Sequence, residues 1–329
     1  MVAQSRRSFL LGMAAIGAGG PIWAAGRDWA PGPKVEFLVP SGPGAALDAA
    51  ARKLGRLLEQ GALSPPVVVS NRSSAHSIVV LQALQQAEGN PNLLASLSSS
   101  LVYSEAQGAL PMPYTDFTPL ATLFTEYAVV AVRADSPLRT GRDLIERLRK
   151  DPADLSIGIA TTLGNHIHLG IAKPLKAGKV DVTRLRVVPF KSSAESLTAL
   201  LGGHLDLISA TTPNVIAHLR SGGIRLLAVA SPTRLGGPFG EVPTWREQGI
   251  DGIGESVQGV MAPKGLTPAQ QTYWSSALRE VTRTPEWKEF LAANQWQDNF
   301  LGPKETAAHL ATELKEVRAL LGELKLISS

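Results

Sequence analysis

Cysteine is absent from the 329 residues. That excludes disulfides, thiolate metal sites and thiol catalysis, and a chain of this length can bury enough core to be stable in an oxidising compartment without them. Charged residues are sparse, at 18% against 44% apolar. No dense Lys/Arg run occurs, so nucleic acid is not an expected partner. No short-period repeat or low-complexity tract is present, and beyond the first thirty residues no apolar stretch is long enough to cross a membrane. The common catalytic signatures are missing too. There is no Walker A loop, no G-x-G-x-x-G and no H-E-x-x-H, and Gly254-Glu-Ser-Val-Gln-Gly259 has the wrong spacing for a nucleophile elbow. A hydrolase would have to assemble its triad from distant residues, so an enzyme is the weaker alternative.

The chain opens with Ser5-Arg6-Arg7-Ser8-Phe9-Leu10, followed by an uncharged stretch from Leu11 to Gly26. A positive segment ahead of an apolar one marks an export leader, and the paired arginines before Phe9-Leu10 match a twin-arginine signal. A membrane anchor fits less well. Gly12, Gly17, Gly19, Gly20 and Pro21 break the stretch, whereas a span needs ~20 predominantly apolar residues. Residues 1–26 are read as a signal peptide, cleaved after the small-x-small site Ala24-Ala25-Gly26 or one residue earlier. The mature protein is then periplasmic, with no membrane anchor. Removing Arg6 and Arg7 lowers the formal charge from +4 to +2.

The remaining residues alternate strand-like and helix-like segments, the pattern of an α/β fold, and their number suits about two domains at ~100–200 residues each. Strands are predicted at Val35–Val39, Val67–Val69, Leu93–Leu97, Ala128–Val132, Leu155–Ala160, Leu185–Phe190, Leu205–Ile208 and Ile224–Ala230. Helices are predicted from Leu47 to Leu58, Ile78 to Gln86, Ser136 to Leu148, Glu195 to Leu201, Pro213 to Leu219 and Pro268 to Val281. Two segments look like cousins: Ala128 to Pro137 and Val257 to Leu266 each run as a strand into a helix. Each is read as a strand leaving one lobe for the other. One lobe then contains residues 27–126 and 256–329, and the other contains residues 127–255.

Two loops have the composition of an anion site. Pro40-Ser41-Gly42-Pro43-Gly44-Ala45 follows a strand and precedes a helix, so it presents free N–H groups beside the positive end of a helix dipole. Gly42, Gly44 and Ala45 let a carboxylate approach the backbone, Ser41 adds a hydroxyl, and Asp48 can cap the helix or hold a water or ligand group. Gly158-Ile-Ala-Thr-Thr-Leu-Gly-Asn-His-Ile-His168 repeats the arrangement. Thr161, Thr162 and Asn165 offer hydroxyl and amide groups, with Gly164 and His168 beside them. His166-x-His168 lacks a third metal ligand nearby, so no metal and no cofactor is expected. Lys191, after a strand end, can face an anion. Thr211, Thr212, Pro213 and Asn214 follow another strand and open a helix, so they can line the binding site, with Thr211 as a ligand contact, and Asp206 reads as structural.

Five ordered segments carry a family resemblance: Val39-Pro-Ser-Gly-Pro-Gly-Ala-Ala-Leu-Asp48, Leu110-Pro-Met-Pro-Tyr-Thr-Asp-Phe-Thr-Pro119, Val188-Pro-Phe-Lys191 through Leu200-Leu-Gly-Gly-His-Leu-Asp206, Glu241-Val-Pro-Thr-Trp-Arg-Glu-Gln-Gly249 and Gly259-Val-Met-Ala-Pro-Lys-Gly-Leu-Thr-Pro268. Together they resemble the substrate-binding proteins of tripartite tricarboxylate transporters, the Bug-type extracytoplasmic receptors. The resemblance implies a type II periplasmic binding fold, two α/β lobes joined by crossing strands with a ligand cleft between them. It implies a small organic acid as ligand, the membrane permease subunits of a tripartite transporter as partners, and a monomer that binds without chemistry. A sensory module feeding a membrane signalling partner would keep the same fold.

Departures from the family pattern point to specificity. Its asparagine-arginine-proline-glycine-alanine-glycine-glycine loop reads here Asn71-Arg-Ser-Ser-Ala-His-Ser77, and its glycine-threonine-serine strand end reads Ser96-Leu-Ser-Ser-Ser100. Ser98, Ser99 and His76 thus stand at the expected cleft. In the second loop Gly158 and His168 match, Ile159 replaces the family's serine, and the loop is one residue longer. For the leader, changing Arg6→Lys together with Arg7→Lys should leave unprocessed precursor in the cytoplasm. Mature protein reaching the periplasm by the same pathway would show the twin-arginine reading to be wrong.

Overall fold

The computed structural model describes residues 29–327; the leader read over residues 1–26 lies outside them. In chain order the elements are β1 (Val35–Val39), α1 (Ala46–Gln60), β2 (Val67–Asn71), α2 (Ile78–Gln86), β3 (Leu93–Ser98), α3 (Ser100–Ala106), β4 (Phe117–Arg133), α4 (Gly141–Lys150), β5 (Ser156–Ala160), α5 (His166–Ala177), β6 (Arg186–Phe190), α6 (Ser193–Leu201), β7 (Leu207–Thr211), α7 (Thr212–Arg220), β8 (Ile224–Val229), β9 (Glu255–Pro263), α8 (Pro268–Arg283), α9 (Pro285–Asn294), β10 (Gln297–Leu301) and α10 (Pro303–Glu323). The apolar spacing of α1 turns Ala51, Leu54, Leu57 and Leu58 inward and leaves Arg52, Arg56 and Glu59 in solvent.

Two sheets form, each covered by helices on both faces. In the first, β2, β1 and β3 run parallel, and β9, β4 and β10 complete it in antiparallel pairings. Helices α1, α8 and α9 close one face around Phe37, Leu58, Trp274 and Trp287. Helices α2, α3 and α10 close the other around Leu81, Leu97, Leu310 and Leu321. In the second sheet β6, β5 and β7 run parallel, and β4 pairs antiparallel with both β7 and β8. Its faces are filled by Ile157, Leu175 and Trp245 under α4 and α5, and by Leu200, Ile208 and Val215 under α6 and α7. Burial on both faces is why these strands read as continuous apolar runs.

Strand β4 belongs to both sheets. It pairs with β9 from Phe117 to Tyr127 and with β7 and β8 from Ala128 onward. The segment predicted as Ala128–Val132 is therefore the second half of a 17-residue strand. Thr118, Pro119, Thr122, Thr125 and Glu126 disguise the first half. The chain returns at Gly254, whose N–H donates to Ala230 at 3.0 Å and whose carbonyl accepts from Ala128 at 2.8 Å; β9 begins at the next residue. A Cβ on Gly254 would lie 2.7 Å from the Cα of Gly170, and one on Gly170 would lie 2.5 Å from the Ala128 Cβ. Only glycine allows the backbones to approach this closely. The helix predicted from Ser136 instead starts at Gly141. Thr140 and Asp143 form a reciprocal capping box there, with N–H donors at 3.1 and 2.9 Å.

Helix α10 is bolted to this region by a buried acid. The Ser99 hydroxyl donates to Glu313 at 3.0 Å and accepts from the Val257 N–H at 2.9 Å. Burial pushes the Glu313 carboxyl from its ordinary 4.5 up to about 7, an effect the Ser99 bond and Lys173 only partly offset, while Glu255 and Glu316 add to it. An acid raised in the folded state gives full stability below its unfolded value and loses it as pH climbs towards the folded one. Glu313→Gln keeps an acceptor for Ser99 and removes the charge. Its melting temperature should therefore rise relative to the wild type between about pH 5 and pH 8, with a ceiling on the order of 3 kcal/mol. A difference that stays constant across that range in thermal melts would show that Glu313 does not titrate in it.

Candidate ligand cleft between the lobes

The strand registers bring the carboxyl ends of both sheets to one line. Ser98 at the end of β3 pairs with Gln258, and Gln258 pairs with Phe124 on β4. From the other sheet Thr211 at the end of β7 pairs with Ala128, and Ala160 at the end of β5 pairs with Phe190 of β6. The loops after β1, β3, β5, β6 and β7 therefore border a cleft whose floor is β4 from Phe124 to Ala128. Ligands in open α/β sheets sit at such strand ends. The lobes touch across the cleft where Gln107 Nε2 donates to the Leu163 carbonyl at 2.8 Å and Thr212 Oγ1 donates to the Gln295 carbonyl at 3.1 Å.

In the first loop the Ser41 carbonyl accepts from Asn71 Nδ2 at 2.9 Å, and the buried Ser41 hydroxyl has no partner among the described residues. Gly44 has φ +81° with open space at its Cβ position, a backbone that glycine adopts without strain. Ala45 starts α1 in an extended conformation, and no side chain caps the first turn. The N–H groups of that turn are thus left for other partners. Asp48 corrects one expectation. It is 3% exposed, and its carboxylate accepts from the Gly44 N–H at 2.8 Å, Arg52 Nε at 3.0 Å and Asn71 Nδ2 at 2.8 Å. Its acceptors are spent on the loop, so it braces the site from behind instead of facing a ligand.

The second loop is held in the same way. Asn165 caps α5 by accepting from the His168 N–H at 2.9 Å, and its amide donates to the Ala160 carbonyl and to Thr161 Oγ1, both at 2.7 Å. His168 is buried and accepts the Gly164 N–H on Nδ1 at 2.9 Å. Burial holds His168 down at about 4, so the ring is neutral. Asn165 and His168 therefore shape the loop, a second correction to their expected role as direct contacts. Thr161 sits at φ +63°, a costly conformation for a β-branched residue. Thr162 is exposed beside it.

Ser99 is fully buried between Glu313 and β9 and cannot reach a ligand; Ser98 bonds Ser100 at the rim. Lys191 is exposed after β6, with its N–H on Glu195 at 3.1 Å. Thr211 is buried at the start of α7, where its hydroxyl accepts from Asn214 at 2.9 Å.

Residues 51–326 match the model of the tripartite tricarboxylate transporter family receptor. The chain belongs to this family. Protein BugT of Bordetella pertussis is 27% identical over 317 residues, covering 94% of each chain. The fold matches a TctC solute-binding protein from Polaromonas with a TM-score of 0.76 at 22% identity, over 88% of this chain and 98% of that one. A Rhodopseudomonas palustris protein solved with adipate matches with a TM-score of 0.72 at 22% identity, over 89% and 97%. The protein is thus a solute-binding receptor with a type II periplasmic binding fold, and not an enzyme.

His76 and Ser77 stand where the family pattern has two glycines, and both have positive φ, at 51° and 61°. Left-handed backbone costs an ordinary residue roughly 1–2 kcal/mol; His76 recovers part of this through Nδ1 and Ser104 Oγ, 3.0 Å apart. Sequence reasoning missed the floor of the cleft. There Glu126 accepts from Gln258 Nε2 at 3.3 Å, and His166 Nε2 lies 4.0 Å from it. The one signal was an acid inside the otherwise uncharged stretch from Phe117 to Val132.

Burial alone would raise the Asp48 carboxyl, but the bonds from Arg52, Gly44 and Asn71 overcome it and hold the group at about 2, below the ordinary 3.8. A depressed acid stabilises the fold above its unfolded value and loses that contribution as pH falls through the folded one. Arg52 leaves 50% of its side chain exposed, so solvent screens the pair, and Asp48→Asn should cost ~1–2 kcal/mol at neutral pH. Denaturation curves should show the gap to the wild type closing between about pH 4 and pH 2. A gap that persists at the acid end would mean that the charge on Asp48 is not what matters.

Proposed function

We propose that the protein is a periplasmic receptor that captures a small carboxylate-bearing solute and delivers it to the membrane subunits of a tripartite tricarboxylate-type transporter. The observation that carries this reading is the uncapped first turn of α1 beside the unpartnered Ser41 hydroxyl, with the Thr161–Gly164 loop proposed as its counterpart on the second sheet. Helix-end N–H groups hold an anion without a full counter-charge, and waters can relay the bonds. No Arg lies in either loop. The adipate bound by the Rhodopseudomonas palustris relative is a ligand of the proposed class. The Arg6-Arg7 leader supports a periplasmic location and a twin-arginine route.

The proposed lobes are residues 27–126 with 256–329, and residues 127–255, and the partner change of β4 after Tyr127 supports the division. The ligand contacts proposed are the Ser41 hydroxyl, the first turn of α1, to which Gly42, Gly44 and Ala45 allow close approach while the Gly44 and Ala45 N–H groups bond within the loop, and Thr161 and Thr162, with Ser98 and Lys191 at the rim. Closure around the ligand is a population shift towards the form it contacts better. In thermal-shift assays, organic acids such as succinate, malate and adipate should raise the melting temperature, and neutral sugars and amides should not. Gly44→Val strains the φ +81° backbone without a clash. It should weaken acid binding roughly ten- to a hundredfold, the worth of about one charge-assisted hydrogen bond, and lower stability by roughly 1–2 kcal/mol through the left-handed backbone while leaving the protein folded. Stabilisation by neutral solutes alone would refute the carboxylate reading.

A further inference from the structure

A carboxylate ligand by itself leaves Glu126 unexplained. This residue stands on β4 two positions before the strand enters the second sheet, and 14% of its side chain is exposed. Gln258 Nε2 donates to it at 3.3 Å, His166 Nε2 is 4.0 Å away, and Trp296 and Thr211 face it as polar neighbours. Among the described residues no Lys or Arg pairs with it. Burial pushes His166 down to about 4, so that imidazole is neutral at pH 7 and supplies no counter-charge. Burial likewise pushes Glu126 up to about 7. A buried carboxylate without a cation is costly unless another group brings one.

At about pH 8, where Glu126 is ionised, a second carboxylate on the ligand would meet a like charge here and no basic side chain, whereas a ligand ammonium would supply what the seam lacks. The spacing allows both ends of such a molecule to be read. In the second sheet β5 and β4 are separated by β7, so the loop after β5 stands about 10 Å from β4 at ~4.8 Å per strand. A ligand short enough to span that distance with a hydrogen bond at each end carries its nitrogen only a few bonds from its carboxylate.

We propose that Glu126 selects a solute carrying a basic nitrogen a few bonds from its carboxylate, an amino acid in the broad sense, over the matching acid without the nitrogen. This rests on the carboxylate-binding cleft proposed above and specifies the other end of its ligand. The test is calorimetric titration of the mature protein at about pH 8 with matched probes: 4-aminobutyrate against butyrate, L-glutamate against glutarate, and L-aspartate against succinate. At least one amine-bearing probe should bind roughly tenfold or more tightly than its partner, and Glu126→Gln, similar in shape and without the charge, should bring that ratio close to one. The wild-type ratios decide the matter even if the variant does not fold. Acids that bind as tightly as their amine-bearing partners, or a ratio unchanged in Glu126→Gln, would overturn the role of Glu126 and leave the carboxylate reading standing. Silence of every probe, with the other organic acids silent too, would overturn both.

Discussion

Strand β4 is a member of two sheets, and the line where it passes from one to the other positions everything else in the cleft. Up to Tyr127 it pairs with β9 and β10; from Ala128 it pairs with β7 and β8. Because backbone donors and acceptors must be paired when buried, the two sheets cannot separate at this line without breaking ladder bonds. The return path at Gly254 adds a second restraint, packed directly on Gly170 of α5. Both connections between the two sheets are thus tied by backbone hydrogen bonds at this seam.

The loops on those bodies are stiffened from behind by buried polar side chains. Asp48 ties the first loop to α1 and to the end of β2, while Asn165 and His168 tie the second to the start of α5. Stiff loops lose less entropy when a ligand orders them. The left-handed backbones of Thr161, His76 and Ser77 are part of this arrangement, since strained conformations persist only where the surroundings over-determine them.

The seam also collects ionisable groups in neutral company. Glu126 lies 4.0 Å from His166, His166 meets the edge of Tyr103 at 6.3 Å between ring centres, and Tyr103 and Ser99 both bond Glu313. Burial raises both glutamates and lowers the histidine. A run of polar groups that favours uncharged forms thus links the cleft floor to α10. Charge arriving in the cleft would be felt strongly in so poorly solvated a place.

Much was legible in the chain alone. The arginine pair and apolar stretch at its start, the alternation of apolar strands with amphipathic helices, and the two glycine-bearing loops ahead of helices are local patterns, set by side-chain period and backbone freedom over a few residues. They were sufficient for the α/β fold, and five ordered segments carried the family resemblance. What local pattern could not show was direction and environment. Asp48, Ser99, Asn165 and His168 stood in the right loops, yet their side chains turn inward to partners such as Asn71 and Glu313. Glu126 became notable only when folding placed Gln258, His166, Trp296 and Thr211 around it. Burial and charge compensation belong to the assembled seam, built from residues far apart in sequence, and for that reason only the tertiary structure decided which side chains turn inward and which lack a partner.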